Sequence, residues 1–331
     1  MLIFLYLYAT VLRGIINMGR TMKIFSVEKT LKSKNYYLFG WRFLRLSGYS
    51  NRYIYEGVQN VFDYIRFCTD LEKLPPAHGI MRKRQLGMLK ILRTVADFCK
   101  QHNIQFWLEY GTLLGAIRHK GFIPWDDDTD IGMMREDYEK FVELFNRETP
   151  DRDLYAEYYS DKNNIYNLIK IYHKNVPNIW LDIFPNDFGY KKFTLDEAIE
   201  RTREINKYLA KYQNKNKKVK DRTKLQEFFK KATQQLDFVA HKPEQKPETV
   251  FYGLEYYHAD TDVCIFDYDM FFPLKTVMFE GIEFPCVNKP ELYLTYLYKD
   301  YMSLPKNFSM HIDTSAFDLH SILALEKYIE E

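Results

Sequence analysis

The sequence predicts an α+β fold: a mixed sheet flanked by helices, with a helical insertion and an N-terminal arm. Two observations predict it. First, between residues 85 and 185 the spacing of apolar residues alternates between the helical three-and-four and the strand-like two, so helices and strands interleave. Second, the 331 residues are 46% hydrophobic and 28% charged, an ordinary globular composition whose length fits one large domain with additions or two modest ones.

Residues 1–76 read as an arm. The run from Met1 to Leu12 is apolar and ends at Arg13. It is too short to span a bilayer, which takes about 20 apolar residues. It also lacks the basic start and small-residue cleavage site of a signal peptide. Three readings stay open: a segment lying in a membrane interface, a buried or unstructured end, and an extension upstream of a start at Met18 or Met22. Tyr36 to Leu46 mixes aromatic, basic and β-prone residues, and reads as a hairpin strand or a membrane-facing patch. Pro75 and Pro76 mark a break before a catalytic region at 77–331.

In that region Leu86, Leu89, Leu92, Val95, Ala96 and Cys99 predict one apolar helix face, with Asn103 ending the helix in a left-handed conformation. Ile104–Tyr110 reads as a strand, Gly111–His119 as a turn into a short helix, and Gly121–Trp125 as a loop. Asp128–Met133 reads as a second strand and Arg135–Glu148 as a helix with Tyr138, Phe141, Val142 and Phe145 inward. Ile165–Tyr172 and Asn178–Phe184 read as further strands. Residues 191–248 change character and predict a helical, basic insertion, with Thr194 as a helix cap. Lys211 to Lys224 within it reads as a solvated loop or as a contact for anionic lipid or glycan. After Pro247 the chain turns aromatic and β-like again.

Charge and cysteines narrow the function. The net charge of +2 lacks the basic excess of a nucleic-acid binder. None of Cys68, Cys99, Cys264 and Cys286 forms a CxxC pair, so no zinc ribbon or thioredoxin-like motif is indicated. Four cysteines in so long a chain do not make a disulfide framework, so a reducing, cytoplasmic compartment is the simpler reading.

The chemistry lies in Asp126, Asp127, Asp128 and Asp130. On a strand, Asp128 and Asp130 point to one face, because side chains repeat every two residues. Two such carboxylates repel one another and suit a hard cation, Mg²⁺ or Mn²⁺. Asp182 is a third acid inside an apolar strand, and burial of such a group is costly unless it is paired or bound to metal. Upstream, Gly111 and Thr112 open a helix, where backbone N–H groups favour phosphate. Arg118 follows, as a bidentate phosphate donor or as a structural ion pair with one of the aspartates.

The order of strand, Gly-Thr turn, helix, paired acids and later lone acid matches the layout of the nucleotidyltransferase fold associated with DNA polymerase beta. The chain also resembles the LicD family, which includes bacterial phosphocholine transferases and fukutin-related proteins. The residues carrying the likeness run from Glu109 to Ile131, densest in Tyr110–Arg118 and Gly121–Ile131. They continue in Leu181–Pro185 and, more loosely, from Phe271 to Pro305. One departure is Tyr298-Lys299-Asp300, where the family often has Tyr-Gly-Asp. The resemblance implies Asp128, Asp130 and Asp182 as metal ligands, with Asp126 and Asp127 shaping the metal loop or binding through water. It further implies transfer of a phosphorylated small alcohol from a CDP-alcohol, phosphocholine from CDP-choline being the best-known case. The acceptor would be a glycan or lipid-linked glycan such as lipopolysaccharide or capsule, reached through peripheral contact with the cytoplasmic membrane face. Two other functions stand beside this one: a true nucleotidyltransferase releasing pyrophosphate, and a non-catalytic glycan-binding protein.

Overall fold

The computed structural model describes the backbone of 25–29, 33–38 and 41–47, and residues 61–331 except 62, 67, 161–166, 217–221, 241, 243, 257–262 and 306–316. The chain divides into two compact units: residues 1–71 with 302–322, and residues 72–301 with 323–331. Among the described residues no helix is long and apolar enough to cross a membrane. The apolar run from Met1 to Leu12 lies outside the described residues.

In the first unit, β1 (Phe25–Lys29), β2 (Ser33–Leu38) and β3 (Trp41–Ser47) form an antiparallel sheet. β2 and β3 pair antiparallel, Tyr36 with Leu44 and Leu38 with Trp41, so residues 36–38 and 41–46 are paired strands, as the hairpin reading expects.

The second unit is built on a seven-stranded mixed sheet flanked by helices. Its strands are β4 (Trp107–Leu108), β5 (Asp130–Met134), β6 (Leu154–Ser160), β7 (Asn167–His173), β8 (Val176–Gly189), β9 (Thr249–Tyr252) and β10 (Ile265–Asp267). The path runs β10-β9-β8-β5-β4, and β7 lies on β8 with β6 beyond it. Strand β8 is 14 residues long, which lets it pair antiparallel with β7, parallel with β5 and antiparallel with β9 along successive stretches. It is therefore the strand on which the site is assembled.

The helix Gly79–Gln101 covers this sheet, but its buried face is Met88, Ile91, Leu92, Val95, Phe98 and Cys99. The expected face is rotated: Leu86, Leu89 and Ala96 are only half-buried. At Gly87, on the buried face, a Cβ would stand 2.7 Å from Leu325 and 3.5 Å from Ile179, so the missing side chain permits the close approach. Asn103 ends the helix at φ 52, and the Ile104 N–H returns to the Cys99 carbonyl at 2.9 Å. That turn uses up Ile104, so the strand expected over Ile104–Tyr110 shrinks to Trp107–Leu108.

The insertion is helical, with helices Leu195–Asn216 and Arg222–Gln234. Thr194 and Glu197 form a reciprocal cap: the Thr194 N–H donates to Glu197 Oε2 at 2.8 Å and the Glu197 N–H to Thr194 Oγ1 at 3.3 Å. Leu209, Leu225, Phe229 and Ala232 bury together with Leu254. The expected loop over Lys211–Lys224 falls partly in the two helices, and residues 217–221 lie outside the described residues. A hairpin of β11 (Lys275–Phe279) and β12 (Ile282–Cys286), and the helix Pro290–Tyr298, complete the unit.

Candidate active site

The site begins with strand register. Asp130 on β5 pairs with Asp182 on β8, and Asp182 pairs with Lys170 on β7. Residues opposite one another on neighbouring strands project to the same face. Two acids and a lysine therefore form one cross-strand row. Asp128 lies two residues before β5, so the alternation expected of a strand does not position it. The ladder is nonetheless prolonged to Thr129: the Asp182 N–H donates to the Thr129 carbonyl at 2.8 Å and Thr129 Oγ1 to the Trp180 carbonyl at 3.0 Å. The result is a cluster in which one carboxylate oxygen each from Asp128, Asp130 and Asp182 lies within 4.8 Å of the others. Asp130 and Asp182 are buried, and Asp128 is half-buried.

The loop before β5 is fixed from beneath. Asp127 is buried and turns to Arg84, whose Nη1 lies 3.3 Å from its carboxylate. The Arg84 guanidinium sits 4.9 Å over the Trp180 ring and its Nε donates to the Asn178 carbonyl at 2.6 Å. Burial pulls the Arg84 pKa down, and the neighbouring acids, Asp127 first, oppose that shift. Gln85 Nε2 donates to the carbonyls of Ile123 and Asp126, both at 3.1 Å. Asp127 thus shapes the loop through Arg84.

The helix Tyr110–His119 is tied to the same acids. Thr112 Oγ1 accepts the Asp130 N–H at 2.8 Å, and the Glu109 N–H donates to the Asp130 carbonyl at 3.0 Å. At Gly111 a Cβ would stand 3.1 Å from Asp126 Oδ2, so this glycine leaves room for the Asp126 carboxylate at the helix start. Tyr110 holds φ 40, an uncommon conformation for a bulky residue, with its ring among Phe184, Tyr252 and Tyr256. Arg118 is buried; it donates through Nη1 to the Tyr301 carbonyl and through Nε to His119 Nε2 at 2.9 Å. Burial lowers its pKa to about 10, with Asp126 acting in the other direction. Burial and then the Arg118 charge lower that of His119 to about 4.

Sequence reasoning missed Arg84, described above, and two further groups. Lys170 donates from its ammonium to both oxygens of Asp182, at 2.6 and 2.7 Å, with the Tyr159 and Trp180 rings each 4.9 Å away. Glu109 is fully buried beneath β5, taking a hydrogen bond from Trp107 Nε1 at 2.6 Å and another from the Tyr293 hydroxyl. Burial raises its pKa to about 7, despite the hydrogen bonds from Tyr293 and Trp107 that favour the charged form. Lys170 interrupts Ile169 and Ile171 much as Asp182 interrupts its own strand, but a lysine there reads as the solvent side of a strand and so carries no signal of its own.

Three converging carboxylates are hard oxygen donors and fit a divalent cation of the Mg²⁺ or Mn²⁺ type. A second group, Asp151, Asp153 and His173, also brings ligand atoms within 4.8 Å. There His173 Nδ1 already accepts the Asn175 N–H at 3.1 Å, and Asp151 Oδ1 the Asp153 N–H at 2.9 Å, so both groups serve turns.

Residues 103–220 match the family described as LicD/FKTN/FKRP, nucleotidyltransferase domain. All three clustered acids fall inside that stretch. The chain is 41% identical over 93 residues to the lipopolysaccharide cholinephosphotransferase LicD of Haemophilus influenzae, which covers 26% of this chain and 35% of that one. It is 33% identical over 136 residues to an uncharacterized protein of Rickettsia typhi, covering 38% and 42%. It is 31% identical over 108 residues to the human ribitol 5-phosphate transferase FKRP, covering 27% and 22%. The matched stretches therefore span less than half the length of each of these relatives.

Proposed function

We propose that this chain, whose residues 103–220 match the LicD/FKTN/FKRP family, is a phosphotransferase of nucleotidyltransferase fold. In this reading it moves a phosphorylated small alcohol, phosphocholine as first choice, from a CDP-alcohol to a hydroxyl of a cell-surface glycan such as lipopolysaccharide. The observation that carries it is the convergence of Asp128, Asp130 and Asp182 within the family-matched stretch.

Asp128, Asp130 and Asp182 would hold the divalent cation, Mg²⁺ or Mn²⁺. When bound, such a cation neutralises charge on the phosphoryl oxygens as the bond to the leaving group breaks. The rest is positioning, since phosphoryl transfer asks little covalent chemistry of a protein. The acceptor oxygen attacks the β-phosphorus, its proton leaves to solvent or a nearby base, and CMP departs. Gly111 and Thr112 lie beside the acids, Thr112 bonded to Asp130 and Gly111 adjoining Asp126, so a phosphate held by the cation would lie near the start of the helix Tyr110–His119, where backbone N–H groups favour it. Asp126 and Asp127 shape the loop, the latter through Arg84. Arg118, which already donates to the Tyr301 carbonyl, braces the far end of that helix. The reaction would run at the cytoplasmic membrane face, with the 1–76 arm making peripheral contact and no nucleic acid involved.

The test is a transfer assay with CDP-choline and related CDP-alcohols on glycan acceptors, with Mn²⁺ or Mg²⁺ added back to chelated protein. CMP release with a mass gain on the acceptor supports the proposal. Pyrophosphate release from CTP without CMP would favour a true nucleotidyltransferase. Glycan binding with no product would favour a non-catalytic role.

A further inference from the structure

Lys170 lies beside Asp182, across it from Asp130, and nothing in the proposed reaction accounts for it. Its ammonium bonds both oxygens of Asp182 at 2.6 and 2.7 Å. This grip is built into the fold: Lys170 is the register partner of Asp182 on β7, just as Asp130 is on β5. The lysine is held as well as paired. Tyr159 and Trp180 flank the ammonium at 4.9 Å each, and its side chain is 12% exposed. Trp180 in turn carries Arg84 at 4.9 Å from its ring, so this wall continues into the brace beneath the acid loop.

A carboxylate has about four lone-pair directions, two on each oxygen. In a two-cation centre, with ions roughly 3.5–4 Å apart, a carboxylate lying between them offers one oxygen to each. Asp182 already spends a lone pair of each oxygen on the ammonium, and an ammonium and a divalent ion repel at such a distance. What remains of Asp182 serves one ion, on the side of Asp130 and Asp128. The opposite side carries a fixed positive charge supplied by the chain itself.

We propose that Lys170 is a resident cation of this centre: it takes the place a second divalent ion would hold, so that the chain binds one Mg²⁺ or Mn²⁺ and not two. The inference rests on the reading of the acid cluster as a metal site, and goes beyond it by setting the number of ions and naming the side chain that sets it. Lys170 is a positioning residue here, acting on the reaction through Asp182.

The experiment counts ions. Mn²⁺ is titrated into the full chain, and free Mn²⁺ is followed by its electron paramagnetic resonance signal, for wild type, Lys170→Met and Lys170→Arg. The expected stoichiometry is one for wild type and one for Lys170→Arg, which keeps the charge, rising to two for Lys170→Met, which keeps the length and removes it. Two ions in wild type would overturn the proposal while leaving the metal site standing. A single ion in a folded Lys170→Met would overturn it as well. No bound Mn²⁺ in wild type would instead overturn the metal-site reading and this inference with it. The wild-type count needs no variant, so the proposal stays exposed even where Lys170→Met fails to fold.

Discussion

Arg84 and Asp127 are 43 positions apart in sequence, yet they decide the shape of the loop that delivers Asp128 and Asp130. Arg84→Met tests this directly. Both side chains are almost fully buried, at 2% and 3% exposure, with 3.3 Å between them. Removing one partner of a buried ion pair leaves the other charge desolvated, at a cost of about 3–5 kcal/mol. Methionine keeps the apolar stem and removes the charged head, so the stranded Asp127 charge is the main loss. The same substitution also removes the hydrogen bond to the Asn178 carbonyl and the contact with Trp180, which sit on β8 next to Asp182. Arg84→Met is therefore expected to lose about 3–5 kcal/mol of unfolding free energy in urea. Asp127→Asn combined with it should recover a large part, because the stranded charge is gone. Tryptophan fluorescence gives a second probe of unfolding beside far-UV circular dichroism. A loss below about 1 kcal/mol, or a double variant as unstable as the sum of the two singles, would refute the pairing as the support of the loop.

Other expectations concern the residues packed against β5. Glu109 titrates at about 7 in the folded state against an ordinary 4.5, because burial opposes its charge. Its folded pKa is raised, so the folded chain binds more protons than the unfolded one between those values, and stability falls as pH rises from about 4.5 to about 7, then levels. At 1.36 kcal/mol per unit the loss is up to roughly 3 kcal/mol. Glu109→Gln should flatten this slope when unfolding free energies at pH 5 and pH 8 are compared; equal slopes in both proteins would count against it. Thr112→Val keeps the shape but strips the acceptor from the buried Asp130 N–H, and is expected to cost about 1–3 kcal/mol and to weaken Mn²⁺ binding. Thr112→Ser should restore both, and a valine variant with unchanged melting and Mn²⁺ affinity would dismiss the bond.

Much of the site was readable because its signals are local. The run Asp126 to Asp130 and the lone Asp182 stand out where carboxylates interrupt apolar strands. Asn103 was legible as a helix end because Asn tolerates a left-handed backbone, and it takes φ 52. Lys170 was not legible. Within Ile-Lys-Ile, a lysine reads as the solvent side of a strand, and only the pairing of β7 with β8 brings it to Asp182. Arg84 was passed over likewise, since a basic residue in Arg82-Lys83-Arg84 suggests an exposed helix turn, whereas its partner lies in a distant loop. Asp128 fell on the expected face for a different reason: the strand begins only at Asp130, and the ladder bond to Thr129 prolongs it. The buried face of the Gly79–Gln101 helix includes Gly87, whose close approach to Leu325 and Ile179 depends on residues far along the chain. Local pattern carries residue type and period; which strand lies beside which is a nonlocal property.

The most direct measurement is CMP release from CDP-choline in the presence of acceptor glycan and Mn²⁺, for wild type, Asp128→Asn and Asp130→Asn, each checked by a thermal melt. Each substitution keeps shape and removes one negative charge from the cluster in which the three acids lie within 4.8 Å. Folding should survive, because repulsion among the acids is relieved. Turnover should fall by about 10³-fold or more, which corresponds to roughly 4 kcal/mol of transition-state stabilisation. Variants that melt like wild type and release CMP at the wild-type rate would contradict the assignment of this cluster as the centre of the chemistry.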